Sequence, residues 1–147
     1  EEIGYTGGGA RTSAAEMDAQ VAIVVDVTHA TDYPGIDKRR HGEYKLGGGP
    51  VLSRGSAVNG AVFDRLVAAA EKEKIPYSVE AAPRMTNTDA DHIFTAARGV
   101  ATGLVSVPLR YMHSPNELVQ LEDLDRAARL LAAFARGLKS DAGFAPR

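Results

Sequence analysis

The chain reads as a three-layer α/β sandwich, with a mixed, largely parallel central sheet covered by helices on both faces. Residues 21–25 are a nearly continuous β-branched run, the signature of a strand buried on both faces of a sheet. A second apolar run spans residues 103–109. Stretches with helical apolar spacing alternate with these strands, as layered α/β folds require.

Each element has its own justification. Gly7-Gly8-Gly9, followed by residues 10–19, reads as a glycine-rich turn opening a short helix. Residues 28–55 form a long stretch rich in Gly, Pro and charge, which predicts a functional loop or lid. Val58, Ala61, Val62, Leu66 and Ala69 recur at helical spacing, so residues 57–74 are predicted helical, stopping at Ile75-Pro76. Residues 77–81 alternate like a strand. Thr88-Asp89 can cap a helix that ends at Gly99. Leu121, Leu124, Ala128, Leu131, Ala135 and Leu138 would form the apolar face of a last helix. Glu122 and Asp123 sit in its first turn and Arg136 and Lys139 near its end, as the helix dipole favours. Residues 141–147 are expected to be a loose tail.

Composition narrows the function. The 147 residues suit one domain with a real core. Lys and Arg total 17 against 19 Asp and Glu, aromatics are sparse, and Lys38-Arg39-Arg40 is the one basic cluster, so nucleic acid is not an expected partner. The chain has no Cys, which excludes disulfides, thiolate metal sites and Cys nucleophiles and fits a cytoplasmic protein. No apolar run approaches bilayer length, so no membrane partner is expected.

The chemistry concentrates in four residues. Glu1 and Glu2 stand side by side, Asp26 follows the first strand, and His113 follows the second in Tyr111-Met112-His113-Ser114-Pro115. Taken singly, these are a solvated pair, a turn cap and an ordinary imidazole. Together they supply Glu, Asp and His as ligands and one carboxylate for proton transfer, a set suited to a hydrolytic zinc or cobalt site. Sites in open α/β sheets form beyond the carboxyl ends of strands. If the two strands are parallel neighbours, Asp26 and His113 reach the same edge, with His29 and Asp32 close by. His41 and His92 have no ligand spacing and read as loop or surface residues. Gly7-Gly8-Gly9 lacks a phosphate-loop consensus, Gly47-Gly48-Gly49-Pro50 reads as a flexible turn, and no serine-hydrolase elbow is present.

Several ordered strings resemble the catalytic half of the M42 family of metallo-aminopeptidases. They are Glu1-Glu2-Ile3-Gly4, Val25-Asp26-Val27-Thr28 with Pro34-Gly35, Gly48-Gly49-Pro50 with Arg54-Gly55, Asn87-Thr88-Asp89-Ala90, and Arg110-Tyr111-Met112-His113-Ser114-Pro115 with Glu117. The resemblance implies a zinc-peptidase-like fold and hydrolysis of the N-terminal residue of short peptides. It implies that Glu1 is the general base and acid, that Glu2 and His113 bind one metal, and that Asp26 binds the second. Two divalent ions, zinc or cobalt, would be the cofactors, and the full-length protein would be a homo-oligomer. Thr88-Asp89 matches a family motif without a catalytic role. The family's remaining His and bridging Asp ligands come from sequence before Glu1, and its small inserted assembly domain is not among these residues. Residues 1–140 are therefore expected to be the C-terminal part of a catalytic domain, inactive alone. The turn at residues 4–10 is longer than the family's usual one. Two rival readings remain: a glycoside hydrolase, after the endoglucanase label some family members carry, and an inactive binding or assembly module.

Overall fold

The computed structural model describes residues 8–139 and 142–144. In chain order the elements are α1 (Gly8–Met17), β1 (Val21–His29), α2 (Lys38–His41), β2 (Val51–Gly55), α3 (Gly60–Lys72), β3 (Ser78–Ala82), α4 (Ala90–Ile93), β4 (Ala101–Arg110), β5 (Leu118–Val119) and α5 (Leu121–Gly137). The sheet runs β1-β4-β2-β3, with β5 pairing the end of β4. β1 is parallel to β4 and β2 to β3, while β2 meets β4 antiparallel. This is the mixed, largely parallel sheet expected from the sequence.

The two faces of the sheet differ. Helices α3 and α5 pack on one, where Leu52, Val105 and Val107 meet Val62, Leu66, Leu130 and Phe134 in the main core. The other face carries α1 and α4 over two smaller clusters, Ala14-Ala96-Val100 and Val24-Ala90-Leu104. β4, buried on both faces from Thr102 to Leu109, is the spine of the sandwich. Gly103 lies where α3 comes closest: a Cβ there would meet Val62 Cγ1 at 2.7 Å and Ile23 Cδ1 at 2.8 Å.

Local chemistry explains the helix ends. Asn59 caps α3, its Oδ1 accepting from Ala61 N at 2.9 Å and Val62 N at 3.2 Å. Lys74, at φ 54°, turns the chain out of the helix before Ile75-Pro76. Helix α4 ends at Ile93, short of the expected Gly99, and the turns that follow it include Ala97 at φ 49° and Gly99 at φ 91°.

Three further expectations are corrected. The expected loop 28–55 holds the end of β1, the single turn α2 and the whole of β2, an interior strand too short and too mixed in composition to announce itself. Strand β1 continues past residue 25 to His29, because Thr28 and His29 remain in register with Pro108 and Leu109; Asp26 is thus inside the strand and not beyond it. On α5 the buried row is Asp123, Ala127, Leu130 and Phe134, while Leu121 is 75% and Leu124 45% exposed.

Asp123 causes that rotation. It is fully buried, accepting from Gly47 N at 2.7 Å and Gly49 N at 2.8 Å, with Arg126 Nη1 at 3.5 Å. The carboxylate draws its face of α5 against the Gly47–Gly49 turn, which is clamped and not flexible. Gly49 has φ 89°, and a Cβ there would collide with the Pro76 carbonyl. Within 141–147, Asn59 Nδ2 donates to Phe144 O at 2.9 Å and the Arg65 guanidinium lies 5.1 Å from the Phe144 ring centroid.

Candidate functional site

The side chains that share a face alternate along a strand. On β1 the even-numbered residues Val24, Asp26 and Thr28 lie on the α4 face, opposite Leu104, Ser106 and Pro108 of β4 in parallel register. The small Ser106 on β4, with α4 only one turn long, leaves room beside this part of the sheet. The result is a cleft of about 230 Å³ whose lining includes Asp26, Thr28, His29, Glu80, Ser106 and His113.

The strand pair thus brings Asp26 and His113 together, as expected of parallel neighbours. Asp26 is oriented by its own strand, accepting from Val27 N through Oδ1 at 2.7 Å. His113 sits in the turn after β4, where Tyr111 and His113 adopt φ 61° and 62°. That turn is tied at several points. Ser114 N donates to Tyr111 O at 3.1 Å, and His113 N donates to Glu117 Oε1 at 2.6 Å. Its base is anchored by Arg110, whose Nε donates to Asp32 Oδ1 at 3.0 Å and whose Nη2 donates to Asp32 O at 3.0 Å. Asp32 also accepts from Leu46 N at 3.2 Å. So His29 lines the cleft as expected, whereas Asp32 stands behind it as a strut between the loops after β1 and β4.

Of the rest of the cleft, sequence reasoning marks Asn87-Thr88 as part of a family motif without a role and misses Glu80. One wall is the turn Thr86-Asn87-Thr88, held by Asp91, which accepts from Thr86 N at 2.9 Å, Thr86 Oγ1 at 2.9 Å and Asn87 N at 2.9 Å. Glu80, on β3, accepts from Thr28 Oγ1 at 3.1 Å and Ser53 Oγ at 3.5 Å. A lone carboxylate in an otherwise apolar and small-residue strand was the available signal for Glu80. Burial pushes the Tyr44 phenol above its ordinary pKa, and the nearby Glu80 charge adds to the shift.

Glu1 and Glu2 lie outside the described residues. Among the described residues no three His, Asp or Glu side chains gather into a metal cluster. A carboxylate and an imidazole lining one cleft are nevertheless a donor pair that suits zinc or cobalt, and they fit as part of a larger ligand set. No helix of the described residues is long and apolar enough to cross a membrane.

Comparison with known proteins bears on this cleft. The family model described as M42 glutamyl aminopeptidase matches residues 1–130. A lysyl aminopeptidase of Pyrococcus furiosus is 40% identical over 139 residues, covering 95% of this chain and 39% of its own length. The solved structure of an aminopeptidase from the archaeon Desulfurococcus kamchatkensis superposes with a TM-score of 0.83 at 38% identity, covering 91% of this chain and 39% of its own. A TET aminopeptidase from a marine sediment Thaumarchaeota archaeon gives 0.84 at 28% identity, with 92% and 38% covered. The chain therefore spans about two fifths of the length of these relatives.

Proposed function

Because the chain belongs to the M42 glutamyl aminopeptidase family, we propose that it supplies the C-terminal part, residues 1–140, of the catalytic domain of a metal-dependent aminopeptidase. The reaction is removal of the N-terminal residue from short peptides. The observation that carries this reading is the meeting of Asp26 and His113 in one cleft, on adjacent parallel strands.

In this reading His113 and Glu2 hold one divalent ion and Asp26 holds a second. Zinc or cobalt bound there would polarise the scissile carbonyl and lower the pKa of the attacking water. Glu1 takes a proton from that water and delivers it to the leaving amine nitrogen. The strand holds the Asp26 carboxylate, and the tied turn after β4 presents the His113 ring, so neither group has to be ordered when substrate arrives. The Thr86–Thr88 turn walls the cleft and shields the reacting centre from bulk water.

The remaining ligands come from the whole protein, which on the scale of the relatives is more than twice this length, so the 147-residue chain alone is inactive in this reading. A homo-oligomeric, cytoplasmic setting belongs to the same reading and rests on the family resemblance and the cysteine-free composition. A glycosidase reading has one observation in its favour, two carboxylates, Asp26 and Glu80, in the same cleft.

The test is hydrolysis of aminoacyl chromogenic substrates by the full-length protein with added zinc or cobalt, with a chelator, and in the Glu1→Gln variant. Metal-dependent release that disappears with Glu1→Gln is expected. Chelator-resistant cleavage of a polysaccharide would instead select the glycosidase.

A further inference from the structure

Glu80 has no part in the aminopeptidase chemistry described above, yet it lines the same cleft as Asp26 and His113. Its setting differs from that of Asp32 and Asp123. The half-buried Asp32 is paired with Arg110 at 2.9 Å, and the fully buried Asp123 has Arg126 at 3.5 Å. Glu80 accepts only from the hydroxyls of Thr28 and Ser53, one on each carboxylate oxygen, and no Lys or Arg pairs with it among the described residues. Ser53 is its register partner on β2, so the carboxylate is supported from the floor of the sheet. Hydroxyl donors hold a carboxylate in place without bringing a compensating positive charge. Each oxygen retains accepting capacity. The field of this charge extends into the protein, since it acts on buried Tyr44. A partly desolvated negative charge is costly until a cation meets it, and here the cleft is where a cation can arrive.

Resting on the aminopeptidase reading, we infer that Glu80 is a specificity residue: it receives the side chain of the substrate's N-terminal residue and selects a cationic one, lysine or arginine. Thr28 and Ser53 position the carboxylate; Asp26 and His113 stay with the metals.

The experiment uses the full-length, metal-loaded protein and p-nitroanilides of lysine, arginine, leucine and glutamate. The isosteric Glu80→Gln variant keeps an acceptor for the two hydroxyls and removes the charge. Wild type is expected to prefer lysine and arginine, and Glu80→Gln to lower the lysine-to-leucine ratio of kcat/KM by at least about tenfold, with metal content unchanged by elemental analysis. A ratio that does not move, an equal loss on both substrates, a wild type that prefers leucine or glutamate, or metal lost with the charge would each overturn the inference while leaving the aminopeptidase standing. Silence of the wild type on every substrate with both metals would overturn the underlying reading instead.

Discussion

The two faces of the sheet divide the work of the molecule. Under α3 and α5 the face is mainly apolar, with Leu52, Val62, Leu66, Val105 and Leu130 essentially inaccessible to water. Under α1 and α4 the apolar clusters are small, and toward the carboxyl edge they give way to Asp26, Thr28, Ser53, Glu80 and Ser106. Polar and charged groups on a sheet are costly where water is thin. The α3/α5 face supplies the burial that offsets this cost, at roughly 25 cal/mol per Å² of apolar surface. The same strands serve both ends: β4 presents Val105 and Val107 to the core and Ser106 to the cleft.

The sharpest way to break this division is to alter the cleft and look for a loss of stability. Asp26→Asn or His113→Ala in the full-length protein removes a metal-holding group in our reading. The expected loss in kcat/KM is at least about a thousandfold, from the several kcal/mol that metal electrostatics contribute, while the thermal midpoint of the metal-free protein moves little. A matching collapse of the metal-free midpoint would show that the cleft residues also carry the fold.

The converse cut is Leu66→Ala. It opens a cavity between α3 and the sheet and should cost about 2–5 kcal/mol, read as a lowered denaturant midpoint. Activity per folded molecule should hold. A large drop in kcat/KM in the folded fraction would mean that α3 positions the cleft through the sheet more directly than the two-face picture allows.

The same division explains what could be read from the sequence. The apolar run 103–109 announces β4 because burial on both faces leaves no polar alternation to interpret. The run 21–25 announces β1 as well, but that strand ends the described sheet and leaves Val25 53% exposed, so its expected burial on both faces is not found. Asp26 and His113 follow from their position relative to those strands. β2 stayed hidden, although interior, because five residues ending in Arg54-Gly55 carry too little apolar signal against a Gly-rich approach. The α5 face was misplaced because Asp123 looked like a dipole residue, when two backbone N–H groups from residues 47 and 49 make its burial favourable. Glu80 was missed because its partners, Thr28 and Ser53, are 52 and 27 residues away in sequence. Tertiary hydrogen bonds of that kind leave no local pattern.

Asp123 itself is a polar exception on the apolar side, so it tests how strict the division is. Asp123→Ala orphans the N–H groups of Gly47 and Gly49 in a dry site and should cost about 2–3 kcal/mol. Hydrogen exchange at those two amides should accelerate ahead of the core. Unchanged exchange and stability would mean that the turn holds its shape without the clamp, through Gly49 and Pro76 alone.

The smallest effect concerns Tyr44, buried where the Glu80 charge reaches it. Its folded pKa lies above the unfolded value, first because burial disfavours the phenolate and second because Glu80 repels it. The folded state therefore holds the phenolic proton more tightly than the unfolded chain does. The stabilising contribution is fully present below the unfolded pKa of about 10 and is lost as pH rises through the higher folded value. Urea midpoints of wild type and Tyr44→Phe should run parallel up to about pH 9, near the foot of that titration. Above it wild type should fall more steeply, since Phe has no proton to lose. Glu80→Gln should lessen the wild-type slope without abolishing it, because burial is the larger cause. Parallel curves for wild type and Tyr44→Phe throughout would show that the cleft-side polar face contributes no alkaline weakness of its own, and the contrast between the two faces would then lie in function alone.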